Sequence, residues 1–200
     1  RDLTGASSLY DGVIVNLASG LGRIGDAAGD VLTGIENVVG SRYDDLLTGD
    51  DGANRLNGGG GDDRLIGGEG DDLLYGGADD DFIEGGDGND RLEGGDGADN
   101  FYFRLTQYYD VPIGEFDSVY IEFILDVGVD RIVDFDPSAD TLTLSYDGGG
   151  FQRDFEHVQI TEYSAASGSG AHVRFRYGEV YLQGVSPDDL TPENVLFDFS

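Results

Sequence analysis

Apolar side chains over residues 40–102 return with a period of nine, which is neither the 3.6 of a helix nor the 2 of a long strand. The stretch divides without a gap into GSRYDDLLT (40–48), GDDGANRLN (49–57), GGGGDDRLI (58–66), GGEGDDLLY (67–75), GGADDDFIE (76–84), GGDGNDRLE (85–93) and GGDGADNFY (94–102). An interruption of 22 residues (103–124) breaks the frame, and LDVGVDRIV (125–133) then restores the pattern. The eighth position is Leu47, Leu56, Leu65, Leu74, Ile83, Leu92, Phe101 and Ile132, apolar every time. With 38% hydrophobic residues overall, chance would give that about 4 times in 10,000. The sixth position is as regular: Asp45, Asn54, Asp63, Asp72, Asp81, Asp90, Asp99 and Asp130.

Each nonapeptide predicts a turn followed by a minimal strand. Glycines in the first six residues disfavour helix by about 1 kcal/mol apiece and supply positive φ for a tight turn. The last three residues, with the apolar one central, form a short strand with one side chain turned inward. A single inward side chain cannot bury itself, so successive laps of two repeats must stack into a parallel-stranded solenoid. Stacking sets each repeat beneath the next but one. The sixth-position groups then form two columns, Asp45–Asp63–Asp81–Asp99 and Asn54–Asp72–Asp90, and Asp130 joins the second if 103–124 loops out of the coil.

The flanks read as ordinary β structure. Residues 13–17 and 35–39 are expected to lead into the coil, and 141–146, 157–163, 172–177 and 179–185 to be strands. Turns are expected at Asp147–Gly150 and Ser164–Ala171, and short helical turns after Ser186 and Thr191, each followed by proline. The pattern therefore points to an all-β fold: a parallel-stranded solenoid with N-terminal lead-in strands and a C-terminal β cap. The expected divisions are lead-in 1–39, coil 40–102, insertion 103–124, returning repeat and flank 125–146, and cap 147–200. The apolar Val119–Leu125 run and the Tyr108–Tyr109 pair are expected to pack within the insertion and its returning strand.

Charge adds a requirement to this picture. The chain carries 41 acidic against 11 basic residues, all eleven arginine, for a net −30. Such a surface excludes nucleic acid and anionic membranes as partners and attracts cations. The coil alone has 18 acidic and 4 basic residues, a net −14, with like charges stacked about one strand spacing apart (~4.8 Å). Without bound cations it should not hold together. The absence of Cys removes disulfides and thiolate chemistry, and the absence of Lys removes Schiff bases and a P-loop.

No apolar run is long enough to span a bilayer, so no membrane span is expected. No basic–apolar leader precedes Arg1, and with no Met at all the sequence reads as a piece of a longer protein. The segment Gly20–Gly25 fits GxGxxG, but GDAAGDVLTG after it is no helix, which argues against a dinucleotide site. His157 and His172 read as surface strand residues, and no catalytic constellation stands out.

The nonapeptides resemble the G-G-x-G-x-D-x-apolar-x repeats of the RTX (repeats-in-toxin, hemolysin-type) family. VNLASG…GDVLTGIENVVGS and DRIVDFDPSADTLTLS resemble the flanks of such modules in serralysin-type and other type I-secreted proteins. The resemblance implies a calcium-binding parallel β-roll, a two-faced right-handed solenoid, with each ion between one loop and the next but one. It also implies carbonyl ligands from positions two and four of the first loop and one and three of the second, with both sixth-position carboxylates. Carried over, one site takes Gly68, Gly70, Asp72, Gly85, Asp87 and Asp90. A second takes Gly59, Gly61, Asp63, Gly76, Ala78 and Asp81, and a third Gly77, Asp79, Asp81, Gly94, Asp96 and Asp99. The remaining residues the resemblance draws in are Gly58, Gly60, Gly67, Glu69, Gly86 and Gly88, with Asp45, Asn54 and Asp130 at the margins.

This sequence departs from the pattern at Ser41, Tyr43, Asn54 and Asp79, although Asp tolerates a left-handed conformation better than most residues. The implied cofactor is Ca2+, about four to six ions. The implied setting is a secreted, extracellular, non-enzymatic monomeric module that folds on calcium. Its implied partners are type I secretion machinery, read through the C-terminus (VLFDFS, 195–200), and an upstream domain of the parent protein. Polysaccharide binding, as in an alginate epimerase-like R-module, and a terminal adhesin module stay open as alternatives.

Overall fold

A computed structural model describes residues 12–24, 27–105, 107–112, 118–123, 128–146, 159–165, 168–175, 178–191 and 193–198. In the coil, every strand begins at the seventh position of a nonapeptide. These strands are β4 (Leu46–Thr48), β5 (Arg55–Asn57), β6 (Arg64–Glu69), β7 (Leu73–Ala78), β8 (Phe82–Asp87), β9 (Arg91–Asp96) and β10 (Asn100–Leu105). Even-numbered strands pair in parallel in one sheet and odd-numbered strands in the other, so one lap is 18 residues. Leu47 lies beside Leu65, which lies beside Ile83 and then Phe101; the other row runs Leu56, Leu74, Leu92, Ile132. All eight are fully buried. In β6–β9 the next inward residue after the apolar one is a glycine (Gly67, Gly76, Gly85 or Gly94), so the core is a single file of side chains from each sheet.

The chain is thus an all-β parallel roll, extended at both ends by strands that join the same two sheets. Strand β1 (Ile14–Asn16) runs parallel to β4, and β3 (Asn37–Val39) parallel to β5. Strand β2 (Leu21–Ile24) falls on the segment that fits GxGxxG and pairs antiparallel with β1, a strand the nonapeptide pattern gives no reason to expect. After the coil, β13 (Gly128–Ile132) returns beside β9 and β14 (Thr141–Tyr146) beside β10. The insertion is a hairpin of β11 (Gln107–Pro112) and β12 (Ser118–Phe123), a two-stranded sheet of its own. Tyr108 and Tyr109 lie on β11 opposite Glu122 and Ile121 of β12. Strand β10 continues to Leu105, so the first residues of the expected insertion belong to the roll.

The C-terminal residues cover the end of the roll by extending both of its sheets. Strand β15 (Gln159–Ala165), β16 (Gly168–Phe175) and β17 (Gly178–Gln183) add to one sheet beyond β13, and β18 (Val195–Asp198) adds to the other beyond β14. Continuing the ladders satisfies the backbone groups that a solenoid end leaves open. The expected turn Ser164–Ala171 is mostly strand: β15 reaches Ala165, β16 starts at Gly168, and Ala171 is fully buried. Ser186 caps a single 3-10 turn at Pro187–Asp189, with the Asp189 carboxylate reaching back to the Ser186 N–H. The expected turn Asp147–Gly150, His157, Leu125, Pro192 and Phe199 lie outside the described residues. Among the described residues no helix is long and apolar enough to cross a membrane.

Candidate metal centre

The lap of 18 residues brings the sixth-position side chains into the two columns expected, and hydrogen bonds tie each column together. The N–H of Asp45 donates to Asp63 Oδ1 (2.7 Å), that of Asp63 to Asp81 Oδ1 (2.9 Å), and that of Asp81 to Asp99 Oδ1 (3.0 Å). In the other column Asn54 N–H donates to Asp72 Oδ1 (2.7 Å), Asp72 to Asp90 Oδ1 (2.9 Å) and Asp90 to Asp130 Oδ1 (2.8 Å). Asp99 N–H donates in turn to Asp140 Oδ1 (3.0 Å). Asp140 therefore adds a member to the first column that the nonapeptide frame misses. The signal was present as Asp140-x-Leu142, but ten residues after Asp130-x-Ile132 instead of nine.

One oxygen of each carboxylate is thus committed, and the other is not. Asp63, Asp72, Asp81, Asp90 and Asp99 are at most 3% exposed, yet their Oδ2 atoms have no hydrogen-bond donor. The first-position glycines make room for these oxygens. A Cβ on Gly67 would lie 2.2 Å from Asp72 Oδ2 and 2.4 Å from the Gly85 carbonyl oxygen. On Gly58 it would lie 2.1 Å from Asp63 Oδ2 and 2.7 Å from the Gly76 carbonyl, and on Gly76 2.1 Å from Asp81 Oδ2 and 2.6 Å from that of Gly94. Gly85 and Gly94 back onto Asp90 and Asp99 in the same way. A buried carboxylate oxygen beside a carbonyl oxygen, with no proton donor for it, calls for a cation.

The remaining expected ligands surround these points. Gly59, Gly68, Gly77 and Gly86 all have positive φ, as do Gly61, Gly70 and Gly88, and Asp79 is the lone non-glycine among the described residues with φ in that region (77°). The carbonyls of Gly68 and Gly70 face the loop one lap on, 2.1 and 2.0 Å from where a Cβ on Gly86 or Gly88 would stand. Third-position residues pair across laps, Glu69 with Asp87 and Ala78 with Asp96, and the Asp87 carbonyl accepts the Gly70 N–H (2.8 Å). Gly60 donates its N–H to the Ser41 carbonyl (3.3 Å). Among the described residues no three His, Asp or Glu side chains converge as a metal cluster, so such a site would draw on carbonyls as well as carboxylates.

Burial pushes the carboxyls of Asp63, Asp72 and Asp81 up to about 7 and those of Asp90 and Asp99 up to about 6. The N–H bonds to Oδ1 pull the other way, and neighbouring carboxylates add to the rise. The donor set, carboxylate and carbonyl oxygens without nitrogen or sulfur, fits a hard cation with six to eight ligands and tolerant geometry; calcium is such an ion. Among the described residues imidazole plays no part: His172 stacks on Tyr181 at 4.4 Å and lies 3.2 Å from Glu179, away from both columns.

The outer face of the even-numbered sheet carries a second set of polar and aromatic groups. Arg64 lies over Phe82 (3.9 Å), Phe82 packs on Tyr102 (5.2 Å), and Glu84 is held between Arg104 (3.2 Å) and Arg64 (3.7 Å). Burial raises the Glu84 pKa, and the two guanidinium groups oppose that rise. Tyr102, Arg104, Ile66 and Glu84 help line a shallow hollow of about 210 Å³ on this face.

Comparison with known proteins matches the family model described as RTX calcium-binding nonapeptide repeat (4 copies) at residues 30–65 and again at 66–101. The chain is similar to the AlgE6R3 subunit of the Azotobacter vinelandii mannuronan C5-epimerase, with 32% identity over 82% of this chain and 84% of that one (TM-score 0.33). It is similar to the AlgE6R2 subunit of the same enzyme at 28% identity over 84% and 96% (TM-score 0.32). Extracellular lipase LipA from Serratia marcescens is 19% identical over 89% of this chain but 23% of its own (TM-score 0.38). A search of curated protein sequences gives no match. With an unbroken nine-residue frame and two adjacent matches to the repeat, the chain belongs to the RTX calcium-binding nonapeptide repeat family.

Proposed function

We propose that this chain is the calcium-binding module of a secreted protein, non-enzymatic itself, that stays open in low calcium and rolls up where calcium is abundant. The observation that carries this reading is the set of buried Oδ2 atoms on Asp63, Asp72, Asp81, Asp90 and Asp99, each without a donor. The ions would be held by these carboxylates and by first-, second-, third- and fourth-position carbonyls, such as those of Gly68, Gly70, Gly85 and Asp87 around Asp72 and Asp90. Calcium supplies positive charge in place of protons and neutralises the stacked loops. Extracellular calcium modules bind at about 10⁻⁴–10⁻³ M, so the sites would be empty in a cell interior and filled outside. At ten times Kd each ion contributes about 1.4 kcal/mol, and five give about 7 kcal/mol, comparable to the whole stability of many domains. Export by a type I system, with the chain threaded before it rolls up and its C-terminal end read as the signal, agrees with this dependence.

The test is a calcium titration of the full chain followed by far-ultraviolet circular dichroism and hydrodynamic radius. A cooperative gain of β signal with compaction, reversed by chelator, is expected. A chain equally compact and β-rich in excess chelator at pH 8 would overturn the reading. A second reading, glycan binding, draws on the Tyr102–Arg104–Glu84 hollow. It predicts calcium-dependent retention on an anionic polysaccharide that Tyr102→Ala abolishes.

A further inference from the structure

Among the nonapeptide loops whose second position lies in the described residues there are two kinds, and the residue at that position separates them. Where that residue is Gly59, Gly68, Gly77, Gly86 or Gly95, it has positive φ (108° to 131°). The sixth-position Oδ2 of the same loop, on Asp63, Asp72, Asp81, Asp90 or Asp99, is then buried without a donor. Where it is Ser41, Asp50 or Asp136, none of which has positive φ, its N–H turns inward instead. Ser41 N–H donates to Asp45 Oδ2, Asp50 N–H to Asn54 Oδ1 (2.7 Å), and Asp136 N–H to Asp140 Oδ2 (2.8 Å). A backbone proton sits where the other five loops leave an oxygen bare.

The fourth position follows the second rather than its own chemistry. Asp79, behind Gly77, takes φ 77° despite its Cβ; Gly52, behind Asp50, does not take positive φ although nothing in its side chain prevents it. The conformation is therefore set at position two, because a residue with a Cβ resists the left-handed region and glycine does not. The loops closed in this way stand at the ends of the columns: Asp45 and Asn54 where the coil begins, Asp140 where the first column finishes.

We propose that the second-position residue decides whether a loop takes an ion. Glycine opens the loop to calcium, and a residue with a Cβ closes it with its own N–H, which among the described loops gives five open ones, each taking one ion. This rests on the calcium reading given above and specifies which carboxylates take part in it. Asp45 and Asn54, at the margins of the family pattern, would then serve as hydrogen-bonded ends rather than as holders of a further ion.

The experiment counts calcium bound to the full chain by isothermal titration calorimetry, checked by atomic emission after gel filtration. The wild-type count is expected to be five. Ser41→Gly opens the Asp45 loop, and Asp50→Gly with Asn54→Asp opens the next; each should bind six. Gly77→Ser closes the Asp81 loop and should bind four, while Gly52→Ala, at a position with ordinary φ, should leave five. If Gly77→Ser fails to roll up by circular dichroism, the two gain-of-site variants decide alone. Unchanged counts in both of them, or a changed count in Gly52→Ala, would overturn the rule while leaving calcium binding intact. A wild-type chain that binds no calcium would overturn the reading beneath it as well.

Discussion

Raising the pH in calcium-free buffer should unroll the chain between about pH 5 and 8, and added calcium should restore it. Burial holds the carboxyls of Asp63, Asp72 and Asp81 at about 7 and those of Asp90 and Asp99 at about 6, against an ordinary 3.8. A carboxyl whose pKa is raised by folding keeps its proton in the roll. Its contribution to stability is whole below 3.8 and is lost as the pH climbs through the folded value. Between pH 5 and 8 that leaves at least one unit of penalty on each of the five residues. At about 1.4 kcal/mol per unit the sum is at least about 7 kcal/mol, while a domain's entire stability is about 5–15 kcal/mol. The ion-free roll should therefore have little stability left at pH 8.

Calcium reverses the sign, because it binds the ionised form and displaces the proton. The assay is far-ultraviolet circular dichroism with light scattering at micromolar chain, starting at pH 5 because the pI of about 4.1 makes lower values prone to precipitation. A β signal in calcium-free buffer that is equal at pH 5 and 8, or larger at 8, would refute the reasoning. The same burial moves proton–calcium competition to about pH 6–7, above the region near 4 that free carboxylates would set.

Other outcomes follow from single positions. Leu74→Ala empties a fully buried place in the file of core residues and should cost about 2–5 kcal/mol, read as a higher calcium midpoint for rolling. Gly68→Ala should be poorly tolerated, since φ is 120° and the new Cβ would lie 2.4 Å from the Asp50 carbonyl. Gly52→Ala, whose Cβ would meet nothing closer than 3.4 Å, should change stability by less than about 0.5 kcal/mol in denaturant titration. Asp81→Ala should raise the calcium midpoint far more than Asp62→Ala. The Asp62 carboxylate is exposed and accepts one N–H, from Asp80, whereas Asp81 both joins laps and leaves a buried oxygen bare.

The periodic features were legible in the sequence because each lap repeats the same demand on the same position. Eight apolar residues at position eight became eight fully buried side chains. The sixth-position columns were readable for the same reason, and the 22-residue insertion preserved them. Asp90 and Asp130 are 40 apart, one lap of 18 plus the 22 inserted residues. Asp99 and Asp140 are 41 apart, one residue more, and that single addition hid Asp140 from a fixed frame. Strand β2 was obscured because LGRI offers no alternation and sits among glycines. The C-terminal strands were readable as strands, but their places were not, because which open edge a strand joins depends on contacts distant in sequence. The two loop kinds were legible only in part: Ser41, Tyr43 and Asn54 depart from the pattern, but Gly52 looks like any other fourth-position glycine and only the direction of a neighbouring N–H distinguishes it.

The single asparagine in the columns fits this division of labour. A sixth-position side chain has two tasks: one oxygen accepts an N–H and fixes the register between laps, while the other supplies charge. An amide can perform the first but not the second, since its remaining atom is a donor and carries no charge. Asn54 stands in a closed loop, where its Oδ1 accepts the Asp50 N–H and its Nδ2 donates to Asp50 Oδ1 (3.2 Å). Nothing there asks for a negative charge, and removing one eases the repulsion from Asp72 one lap on. In an open loop the same substitution would leave a neutral oxygen facing a carbonyl with no ion strongly drawn to either. Aspartate is therefore required where the second position is glycine and dispensable where it is not. The pairing of Asp50 with Asn54 in one loop, against Gly68 with Asp72 in the loop above it, is that requirement written in two adjacent laps.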